Sequence, residues 1–140
     1  MFKSGLLIIV ALALVTAACG DDDSEPAGPA VQVTSSALGE ILADADGNTL
    51  YLFVPDSQGA SVCNDECANA WPPLTTEVSA GDGVDASLLS TTTRDDGSIQ
   101  ATFNGWPLYY FAADASAGDT NGQGVNDVWF VISAAGNAIP

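Results

Sequence analysis

Two cysteines, Cys63 and Cys67, have the greatest capacity for chemistry in this sequence of 140 residues. They lie in the stretch SVCNDECANAWPPL. A pair at this spacing can form a structural disulfide, act as a redox-active dithiol or bind a soft metal ion. Within one regular helix, cysteines at this spacing are poorly aimed at each other. We therefore expect a bridge that joins a loop to the start of a short helix near residues 65–70.

The surroundings of the two thiols favour a structural bridge over redox or metal chemistry. The chain has no histidine, which excludes a His-based triad, an imidazole metal site and a histidine general base. Asp65 and Glu66 lie between the cysteines, and their negative charge disfavours the reactive thiolate. We expect a disulfide between Cys63 and Cys67, with a redox or metal-handling thiol pair as the alternative.

The loop DTNGQG is a weak candidate for binding calcium. Its oxygen-bearing side chains occupy alternate positions, as in the first half of a calcium loop, at Asp119, Asn121 and Gln123. Phe130 stands where a complete loop has a bidentate acid, so only a loosely bound ion is expected. A plain glycine-rich loop is the alternative. We expect no catalytic residue and no other cofactor.

Three tryptophans complete the side chains that have potential binding roles: Trp71, Trp106 and Trp129. Exposed indole rings stack on sugars, whereas buried ones fill cores. Trp71 and Trp106 each precede proline, which fixes their backbone in extended form. We expect packing in the core and at its rim, with a glycan platform as the alternative. Whether a partner is a protein or a glycan stays open.

A longer motif, Leu-Tyr-x-Phe-x-x-Asp, occurs twice, in TLYLFVPD and in PLYYFAAD. Its side chains are Tyr51, Phe53 and Asp56 in the first copy and Tyr109, Phe111 and Asp114 in the second. On a strand, the tyrosine and phenylalanine point to one face and the leucines to the other, so both faces are apolar. Each aspartate falls beyond the strand end, where a carboxylate accepts backbone N–H groups of a turn. A structural role is expected for both, with a catalytic one as the alternative.

Turn signals place each copy of the motif on the second strand of a hairpin. These signals are Asp46-Gly47 and Asn104-Gly105. Short apolar runs predict strands over residues 31–35, 39–43, 49–54, 98–103, 107–112 and 127–133. One hairpin cannot bury its aromatic face alone, whereas two can cover each other. We predict a mostly β fold, a small sandwich or partly open barrel built from two similar hairpins, with one short helical turn in the disulfide segment.

The N-terminus has the layout of an export signal. Lys3 precedes an apolar run that ends in the small residues TAACG. This run is shorter than the roughly 20 residues that a membrane-spanning helix needs. Cys19 after two alanines resembles the lipobox of bacterial lipoproteins, which implies cleavage before Cys19 and diacylation of its thiol. An ordinary secretory signal is the alternative.

The expected organisation therefore has three parts. Residues 1–18 form a lipoprotein signal peptide. Residues 19–30, which include GDDDSEPAGPA, are too polar and too rich in glycine and proline to fold, and form a disordered acidic tether. Residues 31–140 form a single β domain with two internal repeats.

Charge excludes whole classes of partner. The chain has 18 acidic and 2 basic residues and a net charge of −16. After loss of residues 1–18, Arg94 is the only base, and one arginine cannot build a phosphate-binding surface. We expect no nucleic-acid partner, and we expect membrane attachment through the N-terminal lipid rather than a basic patch. The acidity favours solubility, with an acidic binding surface as the alternative.

Several motifs in the same order resemble one bacterial family. The paired Tyr-x-Phe-x-x-Asp strands, SVCNDECANAWPPL after the first and GDTNGQGVNDVWFVI after the second, are similar to predicted lipoproteins described as a secreted repeat of unknown function. That resemblance implies export and frequent lipidation, and it carries over no catalytic residue. The expected function is a lipid-anchored extracytoplasmic β domain, a binding or envelope-associated module without enzyme activity. The alternative is a redox or metal-handling lipoprotein that uses Cys63 and Cys67.

Overall fold

The computed structural model describes residues 29–56 and 59–140. The predicted signal peptide, the predicted lipidation site Cys19 and nearly all of the predicted tether lie outside the described residues. No helix in the described part of the chain is both long and apolar enough to cross a bilayer.

The described residues are mostly β, as predicted. The strands are β1 Ala30–Ser36, β2 Gly39–Ala43, β3 Tyr51–Phe53, β4 Ser79–Ala80, β5 Leu89–Thr93, β6 Ile99–Phe103, β7 Trp106–Pro107 and β8 Trp129–Val131. One helix, α1 at Glu66–Ala70, supplies the expected helical turn in the disulfide segment. Three short 3-10 helices lie at Val54–Asp56, Ala86–Leu88 and Val125–Asp127.

The strands form three small open sheets in the described residues, ordered β2-β1-β4, β3-β8 and β5-β6-β7. Strand pairs are antiparallel except β1 with β4. The arrangement is that of a small sandwich, and the strands of the described residues do not close into a barrel.

Both predicted hairpin turns are present. Asn104 and Gly105 adopt φ values of 53° and 83°, the left-handed pair that a two-residue turn between β6 and β7 requires. In the first repeat, the Asp44 carboxylate accepts the amides of Asp46 and Asn48 and so holds a longer turn, in which Gly47 has a φ of 92°. The motif therefore lies on the returning arm of each hairpin.

The two hairpins are joined about an approximate internal two-fold axis. Tyr51 N–H donates to the Tyr109 carbonyl at 2.9 Å, and Tyr109 N–H donates back to the Tyr51 carbonyl at 3.0 Å. Two further bonds cross between the repeats in opposite senses. Leu42 N–H donates to Ile132 O, and Ala101 N–H donates to Leu74 O, both at 2.9 Å. Each repeat therefore supplies a segment that completes the other.

Alternation along the motif strands divides the core into two clusters. One, which we call the aliphatic core, is mainly aliphatic and contains Leu50, Leu52 and Leu108. The other is aromatic and contains Tyr51 and Tyr109. The two-faced burial predicted from the motif is therefore confirmed at these positions, because successive side chains of a strand point to opposite faces.

The motif strands are shorter than predicted. The strand expected over 49–54 ends at Phe53, and Val54, 43% exposed, begins a 3-10 helix instead of packing in the core. The strand expected over 107–112 is reduced to β7 and to isolated bridges at Tyr109. Pro107 has no N–H to donate to a ladder, and Tyr109 divides its pairing between Tyr51 and Pro73.

Strand β5 was not predicted. Its sequence, LSTTT, has no apolar alternation, yet it pairs with β6 over its full length, from Leu89 opposite Phe103 to Thr93 opposite Ile99. Ser90, Thr91 and Thr93 are exposed, since β5 is an edge strand. Hydrophobic periodicity gives no signal for such a strand, and only its β-branched threonines indicate it.

The difference in burial along the motif gives a stability test. Leu52 is fully buried, so Leu52→Ala should lower the free energy of unfolding by about 2–5 kcal/mol. Phe53 is only partly buried, so Phe53→Ala should cost less than Leu52→Ala, although its side chain is larger. Urea unfolding of the two variants measures this order. A greater loss for Phe53→Ala would contradict the two-cluster core.

Candidate functional site

Six aromatic rings, three from each copy of the repeat, form one cluster: Tyr51, Phe53, Trp71, Tyr109, Phe111 and Trp129. We call this set the aromatic cluster. Four of its rings stack in a row. Phe53 lies on Trp129 at 4.2 Å between centroids, Trp129 on Trp71 at 3.8 Å, and Trp71 on Phe111 at 4.1 Å. The two indole planes are only 2° apart. Each phenylalanine therefore stacks on the tryptophan of the other repeat.

The two tyrosines meet this stack edge-on. Tyr51 lies 5.3 Å from Trp71 at 83°, and Tyr109 lies 5.2 Å from Trp129 at 89°. Edge-to-face contacts satisfy the ring quadrupoles and add about 0.5–1.5 kcal/mol each beyond burial. Trp71 and Trp129 are 5% and 3% exposed, so both lie in the core, as expected for them. Trp106 lies outside the aromatic cluster, on β7 against the aliphatic core.

The motif aspartates are exchanged between the repeats. Tyr51 donates its hydroxyl to Asp114 Oδ2 at 2.7 Å, and Tyr109 donates to Asp56 Oδ2 at 2.7 Å. The other oxygen of each carboxylate accepts a backbone amide, from Asn121 for Asp114 and from Val62 for Asp56. Each aspartate therefore ties a loop of its own repeat to the tyrosine of the other.

The polar surroundings of the two pairs differ. Asp56 is fully buried, whereas Asp114 is partly exposed. Ser61 Oγ lies 2.6 Å from the Tyr109 hydroxyl. The single proton of Tyr109 goes to Asp56, so the Ser61 hydroxyl donates to Tyr109. Tyr51 instead accepts the amide of Gly122 at 3.1 Å.

Burial governs the titration of these groups. It is the largest cause that raises the pKa of Tyr51 and of Tyr109 well above the usual range, so both remain protonated. Burial also raises the pKa of Asp56, against the opposing effects of the Val62 amide, the Tyr109 hydroxyl and the positive charge of Arg94.

The role of Arg94 was not predicted from the sequence. Its side chain is buried, and its guanidinium donates to Ser61 Oγ at 2.8 Å, Gln100 Oε1 at 2.9 Å and the Cys63 carbonyl at 2.7 Å. Its Nε is buried without a partner. The available signal was that the sequence after Lys3 contains one base, Arg94, and 18 acids.

The disulfide between Cys63 and Cys67 is confirmed. Its Cα atoms are 5.2 Å apart, and it links the extended segment before α1 to the first turn of that helix, as expected. Cys63 is fully buried and Cys67 is partly buried. Arg94 holds the backbone carbonyl of Cys63, and the bridge holds its side chain. Together they fix the loop that supplies the Val62 backbone N–H to Asp56.

The calcium candidates have other contacts. Asp119 Oδ2 accepts the amides of Ala115 and Ser116. The Gln123 side chain accepts the backbone N–H of Val131 and donates to the Ile139 carbonyl. The backbone N–H of Asn121 donates to Asp114 Oδ1. Within the described ranges, no three acidic, histidine or cysteine side chains cluster as a metal would require.

The burial of Asp56 predicts a pH dependence of stability. The pKa of Asp56 is raised above its ordinary value of 3.8, so the folded protein holds a proton that the unfolded chain releases. The resulting stability is present below pH 3.8 and is lost as the pH rises through the folded pKa. Asp56→Asn cannot ionise and should therefore gain stability relative to the wild type as the pH rises through this window. At low pH it should cost on the order of 1 kcal/mol for altered hydrogen bonds.

Urea unfolding of both proteins across acid and neutral pH measures this difference. Asp85→Asn is the matched control, because the hydroxyl and amide of Ser87 lower the pKa of the exposed Asp85 carboxyl. Its contribution is present at neutral pH and lost as the pH falls, so the control should change in the opposite sense. A difference between wild type and Asp56→Asn that does not vary with pH would contradict the argument.

Comparison with known proteins agrees with the duplicated architecture. Two segments of the chain, residues 32–75 and 90–133, each match a family described as a secreted repeat of unknown function. Neither a curated protein nor a solved structure matches the chain. The two matched segments contain both motif strands and both stacked tryptophans, and together they span more than half of the sequence. The chain therefore belongs to the family of secreted repeats of unknown function.

Proposed function

We propose that this protein is a lipid-anchored extracytoplasmic module that binds a partner in the cell envelope without transforming it. The observation that carries the proposal is the charge of its surface. Arg94 is the only lysine or arginine in the described part of the chain, and it is 5% exposed. The charged groups that face solvent there are carboxylates, so the complementary partner is a basic or neutral surface.

The burial of the repeat motif supports binding over catalysis. Tyr51, Tyr109 and Asp56 are buried, and each of the two tyrosine hydroxyls donates to the aspartate of the other repeat. A substrate has no access to them without opening the interface between the repeats. The partner must therefore be held by the outer surface, and the motif holds the scaffold rigid beneath it.

One acidic concavity is the favoured place for contact. A cleft of about 510 Å³ is lined by Asn64, Asp65, Asn69, Asp95 and Asp96 beside the buried Arg94. It lies between the disulfide segment and the turn that joins β5 to β6. Asn64 Nδ2 donates to Asp95 Oδ2 at 3.1 Å across this gap. The buried guanidinium and the disulfide hold both walls in place, and preorganised walls reduce the entropy lost on binding.

The alternative is redox work by the cysteine pair. Cys63 is fully buried, so a reductant or a partner thiol has access only from the side of Cys67. The bridge also fixes one wall of the acidic cleft, which accounts for its presence. We therefore place the function at the surface rather than at the disulfide.

Lipid attachment predicts a defined chemical product. Intact-mass analysis of the protein from membranes should show loss of residues 1–18 and a diacylglycerol adduct on Cys19. Cys19→Ser should release the protein from the membrane, because the acidic surface is repelled by anionic lipid. A mature N-terminus at any other residue, or an unmodified Cys19, would sink the lipid part of the proposal.

Charge-neutral variants test the binding part. The mature lipidated protein, cross-linked in intact cells and purified, should recover a discrete partner. Asp65→Asn, Asp95→Asn and Asp96→Asn together should abolish that recovery. A control triple variant, Glu40→Gln, Glu77→Gln and Asp82→Asn, removes equal charge from exposed positions outside the cleft and should retain it. Equal loss in both variants would show that only net charge matters, and recovery by both would exclude the cleft.

A further inference from the structure

The stacked tryptophans are unusual in their geometry. Trp71 and Trp129 lie 3.8 Å apart with planes 2° from parallel, so their rings overlap closely. Neutral aromatic rings favour offset or edge-on contacts, since parallel quadrupoles repel. Removal of one electron reverses this preference, because two overlapping rings share the positive charge. The pair is therefore better suited to the oxidised state than an isolated indole.

Each indole of this pair also contacts a tyrosine that has a proton acceptor. Tyr51 meets Trp71 edge-on, and its hydroxyl donates to Asp114 at 2.7 Å. A tyrosine loses an electron readily only when its phenolic proton leaves at the same time, and a hydrogen-bonded carboxylate receives that proton without diffusion. The tryptophan pair, Tyr51 and the Asp114 carboxylate thus lie in contact in that order.

The cluster has two branches, the Tyr51–Asp114 pair and the Tyr109–Asp56 pair, and they differ in the charges around them. Arg94 donates to Ser61, which contacts the Tyr109 hydroxyl, so a fixed positive charge lies near the Tyr109–Asp56 pair. Oxidation removes one negative charge from a tyrosine–aspartate pair, and a nearby cation opposes that loss. No lysine or arginine among the described residues contacts Tyr51 or Asp114, and Asp119 adds negative charge near Tyr51. The Tyr51 branch is therefore the easier one to oxidise.

We propose that the aromatic cluster is an internal one-electron relay that moves an oxidising equivalent from a radical oxidant through the Trp71–Trp129 pair to Tyr51. A peroxyl radical takes one electron from the pair and one proton from solvent and becomes a hydroperoxide. The pair regains its electron from Tyr51, whose O–H bond breaks as the proton moves to Asp114 Oδ2. The products are a neutral tyrosyl radical and a protonated Asp114. This activity goes beyond the proposed binding function and does not depend on it.

Pulse radiolysis with azide radicals, which oxidise tryptophan selectively, tests the relay on the mature lipidated protein in micelles. Every variant carries Trp106→Phe, so the tryptophanyl signal arises from the pair alone. We expect tryptophanyl absorbance to decay as tyrosyl absorbance rises, at a rate that is independent of protein concentration and slower in D₂O. Tyr51→Phe should lower the tyrosyl yield severalfold, and Tyr109→Phe should lower it less.

Tyr110→Phe is the matched control. Tyr110 also donates to a carboxylate, Asp44 Oδ2 at 2.9 Å, but it packs against the aliphatic core. The Tyr110→Phe variant should leave the tyrosyl yield and the transfer rate unchanged. Asp114→Asn should slow the transfer without changing the initial tryptophan oxidation.

Circular dichroism establishes that each variant is folded. Should Tyr51→Phe fail to fold, three results in the Trp106→Phe background still test the relay: the D₂O effect, the unchanged tyrosyl yield of Tyr110→Phe and the small loss of yield in Tyr109→Phe. A loss of most of the tyrosyl yield in Tyr109→Phe would then overturn the assignment to Tyr51. A transfer rate that scales with protein concentration, the absence of an isotope effect, or equal losses in Tyr51→Phe and Tyr110→Phe would each overturn the relay.

Discussion

Two peptide groups at the centre of the molecule, those of Tyr51 and Tyr109, determine how the repeats can meet. Each donates its N–H to the carbonyl of the other, so the two backbones lie antiparallel at one point of contact. Side-chain alternation then places leucines on one side of this contact and aromatic rings on the other. The tyrosine rings project past the junction, and their hydroxyls reach the aspartate of the opposite repeat. Neither repeat has a complete core or a satisfied tyrosine without its counterpart.

Sequence reasoning identified this junction because its signals are local. A motif written twice, with glycine turns before it and aspartate after it, predicted two hairpins that cover each other, and the structure has them. The exchange of aspartates between repeats was beyond such reasoning. Tyr51 lies near Asp56 in sequence, and only the antiparallel crossing at Tyr109 brings Asp114 closer in space.

What the sequence failed to predict is polar and long-range. Strand β5 is held by its hydrogen bonds to β6 and exposes most of its threonines, so it has no hydrophobic pattern. Arg94 lies in a turn of acidic residues that resembles a solvated surface, yet its guanidinium is buried by partners from the disulfide segment and β6. Burial of a cation depends on which acceptors the fold assembles around it, and no spacing rule reports that.

The two repeats differ in how they hold the loop that follows the motif aspartate, and this difference makes an otherwise symmetric core asymmetric. Each motif aspartate needs a backbone amide from the loop that follows it, and that loop must be fixed. In the first repeat, the disulfide and Arg94 fix this loop. Asp56 is buried there, and a positive charge lies near Tyr109, the tyrosine that donates to Asp56. In the second, Gln123 ties the loop to Val131 and Ile139 by neutral hydrogen bonds, and Asp114 stays partly exposed. Matched aromatic rings are thus held between unequal electrostatic surroundings, so the two tyrosines differ in chemistry although they share a motif.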